Sequence, residues 1–177
     1  MTLALAVRYD RTTIILHWLT AVLVAGLWFV GQTADYLPED SLIQNIVWSS
    51  HVTTGFTLAT ILIFRIFWRS TSGVGLPAAD SGALHALAKA THYLLYGLLV
   101  ITISLGIANA FIRGYDLFHL FKLPQLGVKD WKKPVTHWHE LAANSVLIVA
   151  GFHAAAALVH HYVWRDNLIS RMALRAR

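Results

Sequence analysis

VTHWHELAANSVLIVAGFHAAAALVHHYVW, residues 135–164, decides the fold. It holds one acid, Glu140, and no lysine or arginine. It also exceeds the roughly 20 residues that a helix needs to cross a hydrocarbon core. Five histidines interrupt it: His137, His139, His153, His160 and His161. An ionisable side chain at membrane depth is costly and marks a functional site. On a helix, His139 and His153 differ by only about 40° in azimuth and stand about 21 Å apart along the axis. His137 is turned roughly 160° from His153. His160 continues the face of His153. One helix thus offers an imidazole towards each membrane surface.

Three further apolar spans precede this one, at about residues 12–31, 46–68 and 84–112. Apolar residues make up 56% of the 177-residue chain and charged residues 13%, about half the ~25% of a soluble domain. Mean hydropathy is +0.56. A water-soluble globule and a disordered chain are both excluded. The absence of cysteine excludes disulfides, iron–sulfur clusters, Cys-ligated zinc and covalently attached c-type haem. The first apolar run is longer than a signal-peptide core, and no small-residue cleavage site follows, so it reads as a retained helix. The expected fold is all-α and integral to the membrane: a four-transmembrane-helix bundle forming one domain over residues 1–177.

Basic residues set the expected orientation. Arg8, Arg11, Arg65, Arg69, Lys89, Arg165, Arg171, Arg175 and Arg177 fall on one side, nine of the fourteen. Both termini are therefore expected in the cytoplasm. The other five, Arg113, Lys122, Lys129, Lys132 and Lys133, share the third loop with Asp116 and Asp130. That loop reads either as a headgroup anchor or as a positive rim that concentrates a small anion. No polar basic face exists for nucleic acid.

The alternating topology supplies partners for the histidines of the last span. His17 begins span one near the inner surface, as His153 ends span four there. His51 and His139 share the outer depth. Two bis-histidine pairs result, and opposed neutral imidazoles are what haem iron takes. A single zinc ion needs its ligands converging on one point, which pairs about 20 Å apart do not provide. His92 also lies at the depth of His153 and is an alternative ligand or haem contact. His85 and His119 read as peripheral. Gly26, Gly55, Gly97, Gly106, Ala142, Ala143 and Ala154 to Ala157 either make room for a flat macrocycle or simply pack helices.

The chain resembles the bacterial cytochrome b561 family, including its superoxide:ubiquinone oxidoreductase (superoxide oxidase) group. The resemblance is carried by Ile15-Leu16-His17-Trp18-Leu19, by His51 with Gly55, and by His92-Tyr93-Leu94-Leu95-Tyr96 leading to Arg113-Gly114. It is strongest in Trp138-His139-Glu140, Ala143-Asn144 and the run from His153 to Asn167. It implies two b-type haems on His17, His51, His139 and His153, a bacterial inner-membrane location and a quinone site at the cytoplasmic side. The implied activity passes electrons from periplasmic superoxide to ubiquinone. Arg113, Lys129, Lys132 and Lys133 are then candidates for attracting the anion. His160, His161 and Trp164 are candidates for the quinone site. Two alternatives stay open: a cytochrome b subunit linking a periplasmic dehydrogenase or hydrogenase to the quinone pool, and a haem-free scaffold or metal-binding protein.

Overall fold

Asp10 starts the first helix. Its carboxylate accepts from the Thr13 N–H at 2.8 Å and the Thr13 hydroxyl at 2.7 Å, pairing donors that a first turn leaves unsatisfied. The computed structural model describes residues 8–78 and 81–174. Its helices are α1, Arg11–Thr33; α2, Leu42–Thr71; α3, Gly82–Arg113; and α4, Lys132–Val159. All four are long and apolar enough to cross a membrane. Arg175 and Arg177, used in the orientation argument, lie outside the described residues.

α1, α2 and α3 run past the hydropathy limits of their spans at both ends, whereas α4 starts early at Lys132 and its α-helical part stops at Val159. Ser41 accepts from the Gln44 N–H at 3.1 Å and so starts α2 four residues early. α1 passes Gly31 and tightens into a 3-10 turn at Ala34–Tyr36. α3 stops where Gly114 enters the left-handed region, at φ +61°, with its N–H on the Ala110 carbonyl. Glycine carries no Cβ penalty there. α4 widens into a π-helical turn over His160–Trp164, which ends at Arg165 with φ +57°.

The third loop contains a hairpin that the sequence does not announce. β1, Asp116–Leu117, pairs antiparallel with β2, Phe121–Lys122. Two-residue strands carry no readable alternation. Ser49, fully buried at 0% exposure, pins the hairpin to α2. Its hydroxyl accepts from the Phe118 N–H at 2.9 Å and donates to the Asp116 carbonyl at 3.2 Å.

Consecutive helices pack side by side, α3 on α4 most extensively and α1 on α2 next. α1 and α4 close the ring along the thinnest helix–helix contact of those between neighbours. Two indoles tie that seam. Trp28 donates to the Asn144 side-chain oxygen at 2.7 Å, and Trp18 donates to the Met172 carbonyl at 3.0 Å. Ile14, Leu58, Leu62, Ala110 and Val146 are buried, whereas Val22, Phe29, Ile63 and Phe152 point outward. That is the surface of a bundle solvated by lipid, where packing and polar ties hold the helices together.

Candidate functional site

α4 carries one histidine of each pair. His51 on α2 faces His139, with ring centres 6.3 Å apart and planes at 84°. His17 on α1 faces His153, at 6.4 Å and 72°. A metal–imidazole bond is about 2 Å, and each nitrogen stands off its ring centre, so two imidazoles sharing one metal have centres about 6 Å apart. Both pairs have that spacing. His92 on α3 stands closer to His153, at 5.2 Å and 74°. Its Nδ1 lies 2.7 Å from the Ala88 carbonyl.

The hydrogen bonds fix which nitrogen each ring offers. His139 Nδ1 lies 2.9 Å from the Thr102 carbonyl. A carbonyl only accepts, so Nδ1 carries the proton and the Nε2 lone pair is left for a metal. His51 Nδ1 is buried without a hydrogen bond among the described residues, with the Leu27 carbonyl as its nearby backbone acceptor. The cavity around this pair is walled by Gly55, Gly106 and Ala143 among apolar side chains. Its mouth carries Asp35, Arg113, Tyr115 and Thr136. At Gly106 a Cβ would come within 2.9 Å of the His139 ring. An apolar slot with a polar rim and two opposed imidazoles fits a b-type haem. Burial pushes the Tyr115 phenol pKa up, Arg113 opposes that shift and Asp35 adds to it.

Four of the five basic residues of the third loop converge, Lys122 on β2 being the exception. Arg113, Lys129, Lys132 and Lys133 surround one cleft together with Asp130. Arg113 also lines the His51–His139 cavity. Its guanidinium donates to the Asn109 side-chain oxygen at 3.0 Å and to the Thr136 hydroxyl at 2.9 Å. One fixed cation therefore borders both that cleft and the His51–His139 pair.

At the other end, His160 is buried and its Nδ1 pairs with the Asp166 carboxylate. Burial raises the Asp166 pKa, but hydrogen bonds from His160 and from the Leu168 N–H outweigh it and hold the group low. The Trp164 ring meets His160 edge-on at 4.3 Å. His161 turns elsewhere, against Tyr162, with its Nδ1 buried and unpartnered among the described residues. The structure thus joins His160 with Trp164 and sets His161 apart from them. His85, His119 and His137 are exposed.

Arg65 is the residue that the sequence reading missed, because it was counted only as an orientation charge. It lies within α2, and its guanidinium nitrogen is 3.0 Å from His17 Nδ1. Its Nε donates to the Tyr96 hydroxyl at 3.0 Å. The available signal was its place a full turn before Arg69, among Phe64, Phe67 and Trp68. The Thr102 carbonyl had no signal, since every residue has one.

The model of the family described as prokaryotic cytochrome b561 matches residues 8–174. A probable superoxide oxidase, CybB, of Yersinia pestis is 29% identical, covering 96% of this chain and 98% of the relative. Cytochrome b561 homolog 1 of Escherichia coli K12 is 27% identical, covering 96% and 99%. Cytochrome b562 of Cereibacter sphaeroides is 29% identical, covering 93% and 94%. The chain belongs to the prokaryotic cytochrome b561 family: a multi-pass inner-membrane protein of electron transport, from a family that binds b-type haem.

Proposed function

We propose that the protein is a di-haem membrane oxidoreductase that takes electrons from superoxide at the periplasmic face and delivers them to ubiquinone at the cytoplasmic face. The observation that carries the reading is the pair of imidazole pairs at opposite ends of α4. His51 and His139 hold the outer haem, and His17 and His153 hold the inner one. Residues 1–177 act as one domain with both termini in the cytoplasm, as the basic residues require. When bound, the haems supply reversible one-electron chemistry and conduction between the two faces.

The chain's own residues do the rest. Thr102 fixes the His139 tautomer through its carbonyl. Lys129, Lys132 and Lys133 draw the superoxide anion into the outer cleft, and Arg113 sits at its inner border. His160, held by Asp166 and met edge-on by Trp164, donates a hydrogen bond and then a proton to a quinone carbonyl. Two superoxide anions lose one electron each and leave as two oxygen molecules. One ubiquinone gains both electrons and two protons to give ubiquinol. The superoxide oxidase name of the Yersinia relative supports the donor.

A second reading has one observation in its favour. The hairpin in the third loop exposes Leu120 and Phe121, a surface suited to docking a periplasmic dehydrogenase or hydrogenase. In that case the protein is a linking cytochrome b subunit, and a partner co-purifies.

The test is a dithionite-reduced minus oxidised visible spectrum of detergent-purified protein with haem quantified, followed by stopped-flow mixing with superoxide and ubiquinone. Two b haems per chain and superoxide-dependent ubiquinol formation are expected. Protein expressed with ample haem that shows no haem absorption refutes the reading.

A further inference from the structure

The outer and inner pairs differ in what faces Nδ1. At His139 an acceptor faces it, the Thr102 carbonyl. At His17 a donor faces it, the Arg65 guanidinium at 3.0 Å. A guanidinium has no lone pair and stays protonated. The proton of a neutral His17 ring therefore sits on Nε2, which leaves Nε2 no lone pair for a metal. The contact with Arg65 and metal ligation through Nε2 exclude each other.

A second, independent observation concerns the charge of Arg65. It lies inside a membrane-spanning helix, where a cation is costly and is met by an anion or by backbone carbonyls. Its partners are neutral: the Tyr96 hydroxyl, the Leu16 carbonyl at 3.5 Å and the face of the Tyr96 ring. Among the described residues no carboxylate pairs with it. The polypeptide brings a fixed positive charge beside the inner histidine pair, and the described residues supply nothing negative to meet it.

We infer that Arg65 is the anion-binding residue of the inner site: it releases His17 and takes a carboxylate of the haem held by His17 and His153. This rests on the di-haem reading above. The side groups of b-type haem end in carboxylates, which match the guanidinium fork in charge and geometry. Tyr96 anchors Nε while the two terminal nitrogens change partner. Release frees His17 Nδ1 to carry its proton and Nε2 to ligate. Loading the cofactor and activating its ligand are then one exchange at one side chain.

The experiment compares the purified full-length wild type with Arg65→Gln and Arg65→Lys. Haem content, redox titration of both haems and the carboxylate region of the redox-difference infrared spectrum are measured. A cation beside a haem favours its reduced state. Arg65→Gln is expected to lower one midpoint, leave the other unchanged and shift the haem-carboxylate bands, with Arg65→Lys in between. Loss of one haem from Arg65→Gln but not from Arg65→Lys gives the same support. Arg65→Gln with two haems, both midpoints and the carboxylate bands of the wild type overturns the assignment, as a guanidinium held by lipid phosphate would. Loss of the same haem from both variants also overturns it, because lysine keeps the charge. A wild type with fewer than two haems overturns the di-haem reading itself, whatever Arg65 does.

Discussion

Replacing Gly106 with alanine tests how closely α3 supports the outer histidine pair. The added Cβ would stand 2.9 Å from His139 Cε1 and 3.3 Å from Nδ1. Carbon atoms rest about 3.5–4.0 Å apart, so the ring has to recede from α3 by roughly 0.6–1 Å. The Thr102 carbonyl belongs to the same helix, one turn earlier. Receding from Gly106 therefore also stretches the 2.9 Å contact that fixes the His139 tautomer. Losing a buried hydrogen bond costs about 1–3 kcal/mol. At 1.4 kcal/mol per tenfold, the outer haem is held on the order of 10- to 100-fold more weakly. The assay is the haem-to-protein ratio of purified protein, together with the rate at which excess apomyoglobin strips haem from it. Gly97→Ala is the control, since a Cβ at Gly97 meets nothing within 4 Å. A Gly106→Ala protein that keeps two haems and releases them at the wild-type rate refutes the reasoning.

Asp10→Ala should lower the thermal midpoint, because it removes the α1 cap and also the acceptor of the Trp68 indole N–H at 2.9 Å and of the Val74 N–H at 3.2 Å. The cap alone is worth about 0.5–2 kcal/mol. Burial raises the Asp10 pKa, but hydrogen bonds from Thr13, Trp68 and Val74 outweigh that and hold it far below the ordinary value of 3.8. Its contribution is therefore complete above that value and is lost as pH falls through the depressed pKa. The wild type and Asp10→Ala should converge in stability only in strong acid, as melting curves against pH will show. Changing Lys129, Lys132 and Lys133 together to glutamine should slow superoxide oxidation most at low salt, with haem content intact. Stopped-flow rates that lose nothing at any ionic strength remove the charge-steering role. His160→Gln should cut ubiquinone reduction while the haems still reduce normally. Unchanged ubiquinol formation in that variant takes His160 out of the quinone site.

The four helices and both histidine pairs were legible in the sequence for one physical reason. A membrane span imposes a length, and a helix imposes an angle, so depth and azimuth follow from residue number alone. His139 and His153 are placed by those two rules, and His17 and His51 by the alternation of spans. What the pattern could not show depends on close three-dimensional approach. Gly106 read as one small residue among several, although among the glycines it is the one that lies against the His139 ring closely enough to exclude a methyl group. Arg65 read as a topology signal, because an arginine near the end of a span usually is one. The hairpin at Asp116–Leu117 and Phe121–Lys122 is too short for a pattern, and buried Ser49 decides its position from another helix.

The thin seam between α1 and α4 ties the His17–His153 pair to the segment that follows α4. His17 and His153 face each other across it. On the inner side the seam is fastened by the segment after α4. Trp18 bonds to Met172, the Tyr9 N–H donates to the Arg171 carbonyl at 3.1 Å, and the Arg171 side chain reaches the Pro77 carbonyl at 2.8 Å. These residues act as a clasp on a hoop whose first and last staves are otherwise barely joined. Altering Arg171 or Met172 therefore amounts to editing the His17–His153 pair, while the His51–His139 pair, set by α2 and α4, stands apart from the change.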